Sequence, residues 1–340
     1  SAIMLEEPAI DRRKIQTCLE LEYGLHDSQI DFLPLGADLN TAAYRVESNG
    51  ISYFVKLRRG FFDELTVTIP KFLSEQGIQQ IISPLISVSD NLWVNVEKYK
   101  LVLFPFIQGQ NAYETKLTET HWNEFGSALM KIHSARVPLE IESRIQRETF
   151  SPRWREMVKT IVTNAQTGTY QETVAQQCAE FVTSKNSEIL DMIKRAEILA
   201  NNLNNQTMKF VVCHSDLHAG NILIGKDGRF YIVDWDTLSM APRERDLMYI
   251  GGGLMNNDRS PKEEEALFYQ TYTLPKINKD AIAYYRFERI IQDIAAFCEQ
   301  LLYSQDGGED REQSLVYLKS NFLPNNTIEI AYKSEKTVWN

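Results

Sequence analysis

The sequence predicts an α+β protein with two lobes, in which a strand-rich N-terminal lobe precedes a helix-rich C-terminal lobe. Two β segments flank Asn49-Gly50, the strongest short-range signal for a hairpin. Apolar residues at helical spacing follow Gly109, and a short β segment at 210–234 interrupts the helical half. At 340 residues the chain is also longer than one ordinary core. We therefore expect one lobe at 1–107 and a second lobe at 108–340.

The N-terminal lobe is predicted to consist mostly of strands. The hairpin strands are 43–47 and 51–57, and Phe54 and Lys56 share one face of the second strand because side chains alternate. A helix at about 63–76 follows and ends at Gly77, a residue type common at helix C-caps. Two further strands, at 82–88 and 100–106, complete the predicted lobe.

The C-terminal lobe is predicted to be helical. A helix at 118–134 begins at Thr118, a suitable N-cap, and carries Trp122, Phe125 and Leu129 at helical spacing. An inserted helical region is expected near 151–205, and an apolar stripe runs along 282–301. This order of elements matches the bilobal plan of protein kinases better than an alternating βαβ fold. The P-loop pattern G-x-x-x-x-G-K-[ST] is absent from the sequence, which excludes that kind of nucleotide site.

Composition and charge argue against several classes of protein. The net charge of −10 disfavours nucleic-acid binding, since a phosphate backbone recruits Lys and Arg. No apolar run approaches the roughly 20 residues that a membrane-spanning helix needs, and we expect no signal or transit peptide. The four cysteines are scattered, which favours a reduced, cytoplasmic protein. The acidity indicates either a cationic ligand or simply an ordinary acidic enzyme.

One segment has the pattern of a phosphoryl-transfer site. After an apolar strand, the chain reads His214-Ser-Asp216-Leu-His218-Ala-Gly-Asn221, and the strand at 230–233 ends in Asp234. Protein kinases use an Asp and an Asn at the same separation, followed by a second Asp. The first Asp accepts the proton of the substrate hydroxyl, while the Asn and the second Asp supply oxygen ligands to Mg²⁺. The spacing therefore predicts Asp216 as the catalytic base, and Asn221 and Asp234 as metal ligands.

Two features of this segment have alternative interpretations. His214, Asp216 and His218 alternate, so they could instead form a metal-ligand cluster of a hydrolase. The chain has only five histidines and the others are not clustered with carboxylates, so the two histidines are better interpreted as hydrogen-bonded supports of the loop. Asp236 either assists the magnesium site or caps the turn after the strand.

The pair H-x-D-x-H-x-x-N and [IV]-D-W-[DE] resembles the aminoglycoside phosphotransferase family, which includes choline, methylthioribose and homoserine kinases. The resemblance implies a bilobal protein-kinase-like fold, Mg²⁺ as cofactor, and ATP or GTP as co-substrate. It implies that Lys56 contacts the nucleotide phosphates, with Glu64 as its ion-pair partner and Glu75 as the alternative partner. It also implies that Asp246 braces the catalytic loop.

The same resemblance extends to the other nucleotide-binding residues. It locates the phosphate loop at 35–41 and the connector between the lobes at 104–107. We expect the Ile107 amide to donate to adenine, because Pro105 has no N–H. Besides Lys56, the predicted nucleotide-binding residues are Gly36, Asn40, Thr41, Phe54, Phe104, Pro105 and Ile107.

Stretches along nearly the whole chain are similar to the spectinomycin 9-phosphotransferase branch of the family, at 151–158, 213–221, 241–253, 284–289 and 324–326. The similarity implies O-phosphorylation of a small, cationic aminocyclitol or aminoglycoside antibiotic, with spectinomycin as the first choice. The predicted acceptor-binding residues are Asp216, Tyr284, Tyr285, Glu288 and Asp293. A metabolic kinase acting on choline, homoserine or a sugar is the alternative, and an inactive nucleotide-binding scaffold is a second one. The modified hydroxyl, the choice between ATP and GTP and the oligomeric state stay open.

Overall fold

The computed structural model describes residues 6–35, 38, 40–255, 258–273 and 276–336. The chain divides into two compact units, one formed by 1–111 with 221–237 and the other by 112–220 with 238–340. The lobe boundary predicted at 107 stays a prediction. The two units are described separately.

The first unit is built on a five-stranded antiparallel sheet. Its strands are β1 (Gln29–Leu33), β2 (Thr41–Ser48), β3 (Ile51–Arg59), β4 (Val94–Val96) and β5 (Tyr99–Pro105). They lie in the order β1-β2-β3-β5-β4. Two helices of this unit are α1 (Arg12–Tyr23) and α2 (Leu65–Glu75).

The predicted hairpin is confirmed as β2 and β3. Asn49 and Gly50 form its turn with φ of 51° and 76°, the left-handed conformation that such a turn requires. In the register of the sheet, Lys56 lies opposite Ala43 on β2 and Val102 on β5. The hairpin thus holds Lys56 in the middle of the sheet.

Helix α1 covers one face of this sheet and was not among the elements predicted for the N-terminal lobe. Asp11 caps its first turn by accepting from the Arg13 amide at 2.9 Å. Ile15 and Leu19 are fully buried in the core that α1 forms with β2, β3 and β5. A helical apolar spacing placed between an N-cap and a C-terminal glycine, Gly24, was therefore the signal that the prediction missed.

The prediction of a strand at 82–88 is wrong. This segment has no regular structure, and β4 takes the edge of the sheet beside β5 instead. Leu85 donates to the Leu103 carbonyl at 2.7 Å and Val88 donates to the Glu22 carbonyl at 2.7 Å. Leu103 lies on β5, but this bond does not extend into a ladder, and Pro84 has no N–H with which to continue one.

A three-stranded antiparallel sheet completes the first unit. Its strands are β6 (Gly109–Asn111), β8 (Ile222–Gly225) and β9 (Phe230–Ile232). The turn between β8 and β9 uses Gly228 with φ of 84°. This hairpin carries Asn221 immediately before β8 and Asp234 shortly after β9.

The second unit is predominantly helical, which confirms the α+β prediction of a sheet region followed by a helical region. Its helices are α3 (Glu119–Ser134), α4 (Leu139–Glu142), α5 (Arg153–Thr167), α6 (Thr173–Ser184), α7 (Asn186–Asn204), α8 (Glu244–Leu247), α9 (Pro261–Phe268), α10 (Lys279–Tyr303), α11 (Asp310–Ser320) and α12 (Thr327–Lys336). Strands β7 (Phe210–Cys213) and β10 (Ser239–Pro242) pair antiparallel.

Helix α10 is the central element of the second unit. It contacts α5, α6, α7, α8, α11 and α12. Its predicted apolar stripe is confirmed, since Ile282, Ile290 and Ile294 are at most 2% exposed. Thr118 caps α3 as predicted, accepting from the His121 amide at 3.2 Å. Within the described residues, no helix combines the length and the apolar character needed to cross a membrane.

Candidate active site

The segment that carries Asp216 is a tight turn at the end of β7. Ser215 has a φ of 75°, a left-handed conformation that costs a non-glycine residue energy. Two backbone amides of the turn donate to the Asp246 carboxylate, His214 at 3.0 Å and Ser215 at 2.7 Å. These bonds hold the turn in place, which is the bracing arrangement expected of Asp246.

Asp246 is itself held by a buried network. Its Oδ2 lies 2.8 Å from Nε2 of His133, whose Nδ1 lies 2.8 Å from the Tyr272 hydroxyl. Both side chains of the His133–Asp246 pair are fully buried. Burial would raise the pKa of Asp246, but the hydrogen bond from His133, the neighbouring histidines and the Ser215 amide together bring the pKa below its ordinary value. The turn is thus anchored to a carboxylate that stays ionised.

The two histidines of the loop accept backbone hydrogen bonds. His214 Nδ1 accepts from the Asp216 amide at 3.2 Å, and His218 Nδ1 accepts from the Gly220 amide at 3.0 Å. Each Nδ1 thus serves the backbone of the loop itself, and Nε2 of His218 lies 3.4 Å from the Asp216 carboxylate. The contacts therefore fit supports of the loop better than the ligand set of a hydrolase.

Asp216 lies between two basic side chains. One carboxylate oxygen is 2.7 Å from Arg289, and the other is 3.4 Å from Nε2 of His218. Burial would raise the pKa of Asp216, but the hydrogen bond from His218 and the charge of Arg289 hold the pKa well below its ordinary value. The predicted base is therefore ionised, in the form that can accept a proton.

Arg289 and Tyr249 are residues of this site that the sequence analysis did not select. The same guanidinium nitrogen of Arg289 that contacts Asp216 lies 2.7 Å from the Tyr249 hydroxyl, and Nε donates to Asp293 at 3.1 Å. Arg289 and Asp293 are four residues apart on α10, a spacing that could have indicated the pair. The structure thus connects two of the predicted residues, Asp216 and Asp293, through an arginine.

The remaining predicted acceptor residues lie in a different cluster. Arg155 on α5 donates to Glu288 at 2.7 Å and to the Tyr284 hydroxyl at 3.1 Å. Tyr284 and Tyr285 are 2% and 3% exposed and both pack against Phe150. Helical geometry directs these side chains toward α5 and the segment before it, so the structure groups them with Arg155. Their role in acceptor binding stays a prediction.

In the first unit, the backbone brings the two predicted metal ligands close together. The Val233 amide donates to the Asn221 carbonyl at 2.9 Å, which places Asn221 beside the residue that precedes Asp234. Asp234 has a φ of 61°, and its Oδ1 accepts from the Asp236 amide at 3.3 Å. An amide oxygen and a carboxylate are the oxygen donors that Mg²⁺ prefers. The residues present therefore fit a hard divalent cation.

Lys56 pairs with Asp236 in the structure. Its Nζ lies 2.5 Å from Asp236 Oδ2, and both side chains are partly exposed. Glu64, the predicted partner of Lys56, is the N-cap residue of α2, and that pairing stays a prediction. The alternative partner, Glu75, forms an ion pair with Lys71 one turn earlier on α2.

Two aromatic side chains line the sheet where the adenine pocket is predicted. Phe54 on β3 lies opposite Phe104 on β5, and their ring centroids are 6.3 Å apart. Strand β5 ends at Pro105, and the Phe106 amide donates to the Ser52 carbonyl at 3.2 Å. The next backbone amide along the chain is that of Ile107, the predicted donor to adenine.

The predicted phosphate loop precedes β2. The Asn40 amide donates to Asp38 Oδ1 at 2.9 Å, and Thr41 Oγ1 accepts from Arg58 at 3.3 Å. Arg58 also donates to Asp38 at 2.7 Å, so the loop is tied to the strand that carries Lys56. Gly36, the remaining predicted residue of the loop, lies outside the described residues.

Comparisons with known proteins show the family to which the chain belongs. The sequence profile described as Phosphotransferase enzyme family (APH) matches residues 31–277. The structure of spectinomycin phosphotransferase APH(9)-Ia in complex with ADP and spectinomycin has 34% identity and a TM-score of 0.89, covering 97% of this chain and 100% of that chain. The AMP-bound complex of APH(9)-Ia has 33% identity and a TM-score of 0.83, with coverage of 95% and 98%. No curated protein sequence matches at a significant level.

A more distant structure shares the fold alone. It is an aminoglycoside phosphotransferase from Alicyclobacillus acidocaldarius, with 13% identity, a TM-score of 0.64 and coverage of 98% of both chains. The fold and these matches together define a phosphotransferase of the small-molecule kinase class. The chain belongs to the aminoglycoside phosphotransferase (APH) family. The family and the kinase-like fold inferred from the sequence motifs are thereby confirmed.

Proposed function

We propose that this enzyme transfers the γ-phosphoryl group of ATP or GTP to a hydroxyl of an aminocyclitol antibiotic, with spectinomycin as the acceptor. The observation that carries the proposal is the 34% identity over 97% of the chain to a phosphotransferase solved with ADP and spectinomycin. Similarity that extends over both units of the chain includes the helices in which acceptor-binding residues are predicted. This favours spectinomycin over choline, homoserine or a sugar.

In the proposed reaction, Asp216 acts as the general base. The acceptor oxygen forms a bond to the γ-phosphorus, the bond from that phosphorus to the bridging oxygen breaks, and a nucleoside diphosphate leaves. The proton of the hydroxyl passes to the carboxylate of Asp216, which Arg289 and His218 keep ionised. A positioned carboxylate of this kind orients the hydroxyl and accepts its proton late in the transfer.

The nucleotide is proposed to bind through the first unit. Phe54 and Phe104 would contact the adenine, and Lys56 would contact the phosphates once its bond to Asp236 is exchanged. Asn221 and Asp234 would hold Mg²⁺. When bound, Mg²⁺ supplies charge neutralisation at the phosphates.

An acceptor screen with a nucleotide-consumption assay tests the proposal. Spectinomycin, several aminoglycosides, choline, homoserine and a neutral sugar would each be incubated with ATP or GTP, and ³¹P NMR would identify the phosphorylated hydroxyl. Asp216→Asn serves as the control for contaminating kinases. We expect turnover of spectinomycin with an apparent KM that rises with ionic strength, because salt screens attraction between a cationic acceptor and carboxylates. Turnover of a neutral sugar or homoserine without turnover of spectinomycin would overturn the choice of acceptor.

A further inference from the structure

We propose that Arg289 is a positioning residue for the catalytic base, fixing both the carboxylate of Asp216 and the backbone turn that presents it. The inference rests on the proposed function only in assigning Asp216 as the base. It does not depend on which hydroxyl compound is the acceptor.

Arg289 holds the base at two points. Directly, its NH1 group lies 2.7 Å from Asp216 Oδ1. Indirectly, the same nitrogen lies 2.7 Å from the Tyr249 hydroxyl, which donates to the Ser215 carbonyl at 3.2 Å. The second path reaches the residue with the left-handed φ of 75°. Arg289 therefore supports both the side chain of Asp216 and the strained backbone immediately before it.

Asp293 orients the guanidinium group. It accepts from Nε of Arg289 at 3.1 Å, one helical turn further along α10. The Arg289 side chain is 19% exposed, so its charge is mostly removed from water and needs paired carboxylates on both sides. The planar fork of arginine can meet Asp216, Tyr249 and Asp293 at the same time, whereas a lysine ammonium is a point charge that cannot reproduce this geometry.

A buried arginine on α11 provides a matched control. Arg311 donates to the Glu172 carboxylate at 2.9 and 2.7 Å, and to the backbone carbonyls of Gln300 at 2.8 Å and Leu301 at 3.2 Å. Its side chain is 5% exposed, and these contacts involve neither the base nor Tyr249. Arg311→Lys therefore measures what the loss of a buried guanidinium does to folding alone.

The experiment compares Arg289→Lys, Arg289→Ala and Arg311→Lys with the wild-type enzyme. Each variant is assayed for kcat, for nucleotide KM and for melting temperature. We expect both Arg289 variants to lose about 10- to 100-fold in kcat, the usual effect of a misplaced reacting group. Nucleotide KM should stay close to that of the wild type, because the first unit is not altered. Added guanidinium ion should restore part of the activity of Arg289→Ala, and Arg311→Lys should lower only the melting temperature.

Several outcomes distinguish failure of this inference from failure of the proposed function. If Arg289→Ala does not fold, Arg289→Lys tests the inference by itself, since its kcat should fall while its nucleotide KM stays close to that of the wild type. Wild-type kcat in Arg289→Lys, or equal loss of kcat in the Arg311→Lys control, would overturn the inference. If the wild-type enzyme phosphorylates another compound but not spectinomycin, the choice of acceptor fails, and the same variants are then compared with that compound. If no compound is phosphorylated, slow transfer to water gives the same comparison.

Discussion

The Lys56 ammonium and the Asp236 carboxylate form an ion pair of 2.5 Å between β3 and the segment that follows β9. The two residues are 180 positions apart in the chain, yet both lie in the first unit. In this structure Lys56 therefore contacts Asp236, and its predicted pairing with Glu64 stays a prediction. The ion pair also gives Asp236 a specific contact beyond the two roles predicted from the sequence.

Loss of Lys56 should impair use of the nucleotide. We expect Lys56→Met to lower kcat/KM for the nucleotide by about 100-fold, as removal of one phosphate-directed donor commonly does. Asp236→Asn should have a smaller effect, and the double variant should be no worse than Lys56→Met, because the two residues act as a coupled pair. Steady-state kinetics with varied nucleotide measures these effects.

The control for this prediction is Lys71→Met, which removes a lysine whose ion pair with Glu75 lies on α2. It should behave like the wild type. Strictly additive losses in the double variant would contradict the coupling of Lys56 and Asp236.

Substitution of the base should affect turnover far more than binding. Asp216→Asn keeps the shape of the side chain but cannot accept the hydroxyl proton, so turnover should fall by about 10²- to 10⁴-fold. Nucleotide affinity, measured by calorimetry, should be nearly unchanged. A variant that keeps more than about a third of the wild-type turnover would show that Asp216 is not the general base.

The proposed metal ligands should show a magnesium-dependent defect. Asn221→Ala and Asp234→Ala each remove an oxygen donor, so the gain in nucleotide affinity that Mg²⁺ provides should shrink or disappear. Calorimetric titration of the nucleotide with and without Mg²⁺ measures this gain. Asp227→Ala is a suitable control, because that exposed carboxylate lies in the same hairpin and pairs with Arg229. Unchanged turnover and an unchanged magnesium effect in Asp234→Ala would exclude this assignment.

Glu264 should make stability depend on pH. Burial raises the pKa of Glu264 to about 7 from 4.5, although its Oε1 accepts from the Gly251 amide at 3.3 Å. A carboxyl whose pKa is raised by folding stabilises the fold while it is protonated, and that contribution is lost as the pH rises through the folded-state pKa. The loss should reach about 3 kcal/mol above pH 7 at most.

Glu264→Gln removes this titration, so we expect it to be more stable than the wild type at about pH 8 and no more stable at about pH 4. Urea denaturation at the two pH values measures the difference. The matched control is Glu299→Gln, which changes an exposed glutamate of α10. Parallel pH dependence of the Glu264→Gln variant and the wild type would refute the assignment.

Local sequence patterns predicted much of this protein. The Asn49-Gly50 turn, the Thr118 cap and the order of Asp216, Asn221 and Asp234 are determined within a few residues of each position, by backbone conformation, capping or the spacing that a metal requires. The family followed from the same short motifs. These features need no knowledge of distant partners.

The errors in the predicted secondary structure arose where contacts with distant segments, rather than local residue propensities, determine the conformation. The segment 82–88 has strand-forming residues but makes no ladder with the sheet, although Leu85 donates to the Leu103 carbonyl of β5. Strand formation depends on continuous pairing with a neighbour as well as on side-chain type, and Pro84 has no N–H with which to continue the pairing. Sequence alone therefore predicted a strand where the fold provides a backbone bond to the sheet rather than a ladder.

The sequence by itself determined the fold class, the family and the order of the chemical groups. Only the tertiary structure determined which charged side chains contact one another. Asp216 and Arg289 are 73 residues apart, the first on a turn and the second on a helix that lies outside the motif. Tyr284 and Glu288 lie on the same helix, but they contact Arg155 and form a separate cluster with it. A hydrogen bond requires contact within about 3 Å, and over such separations that contact results from packing of whole elements.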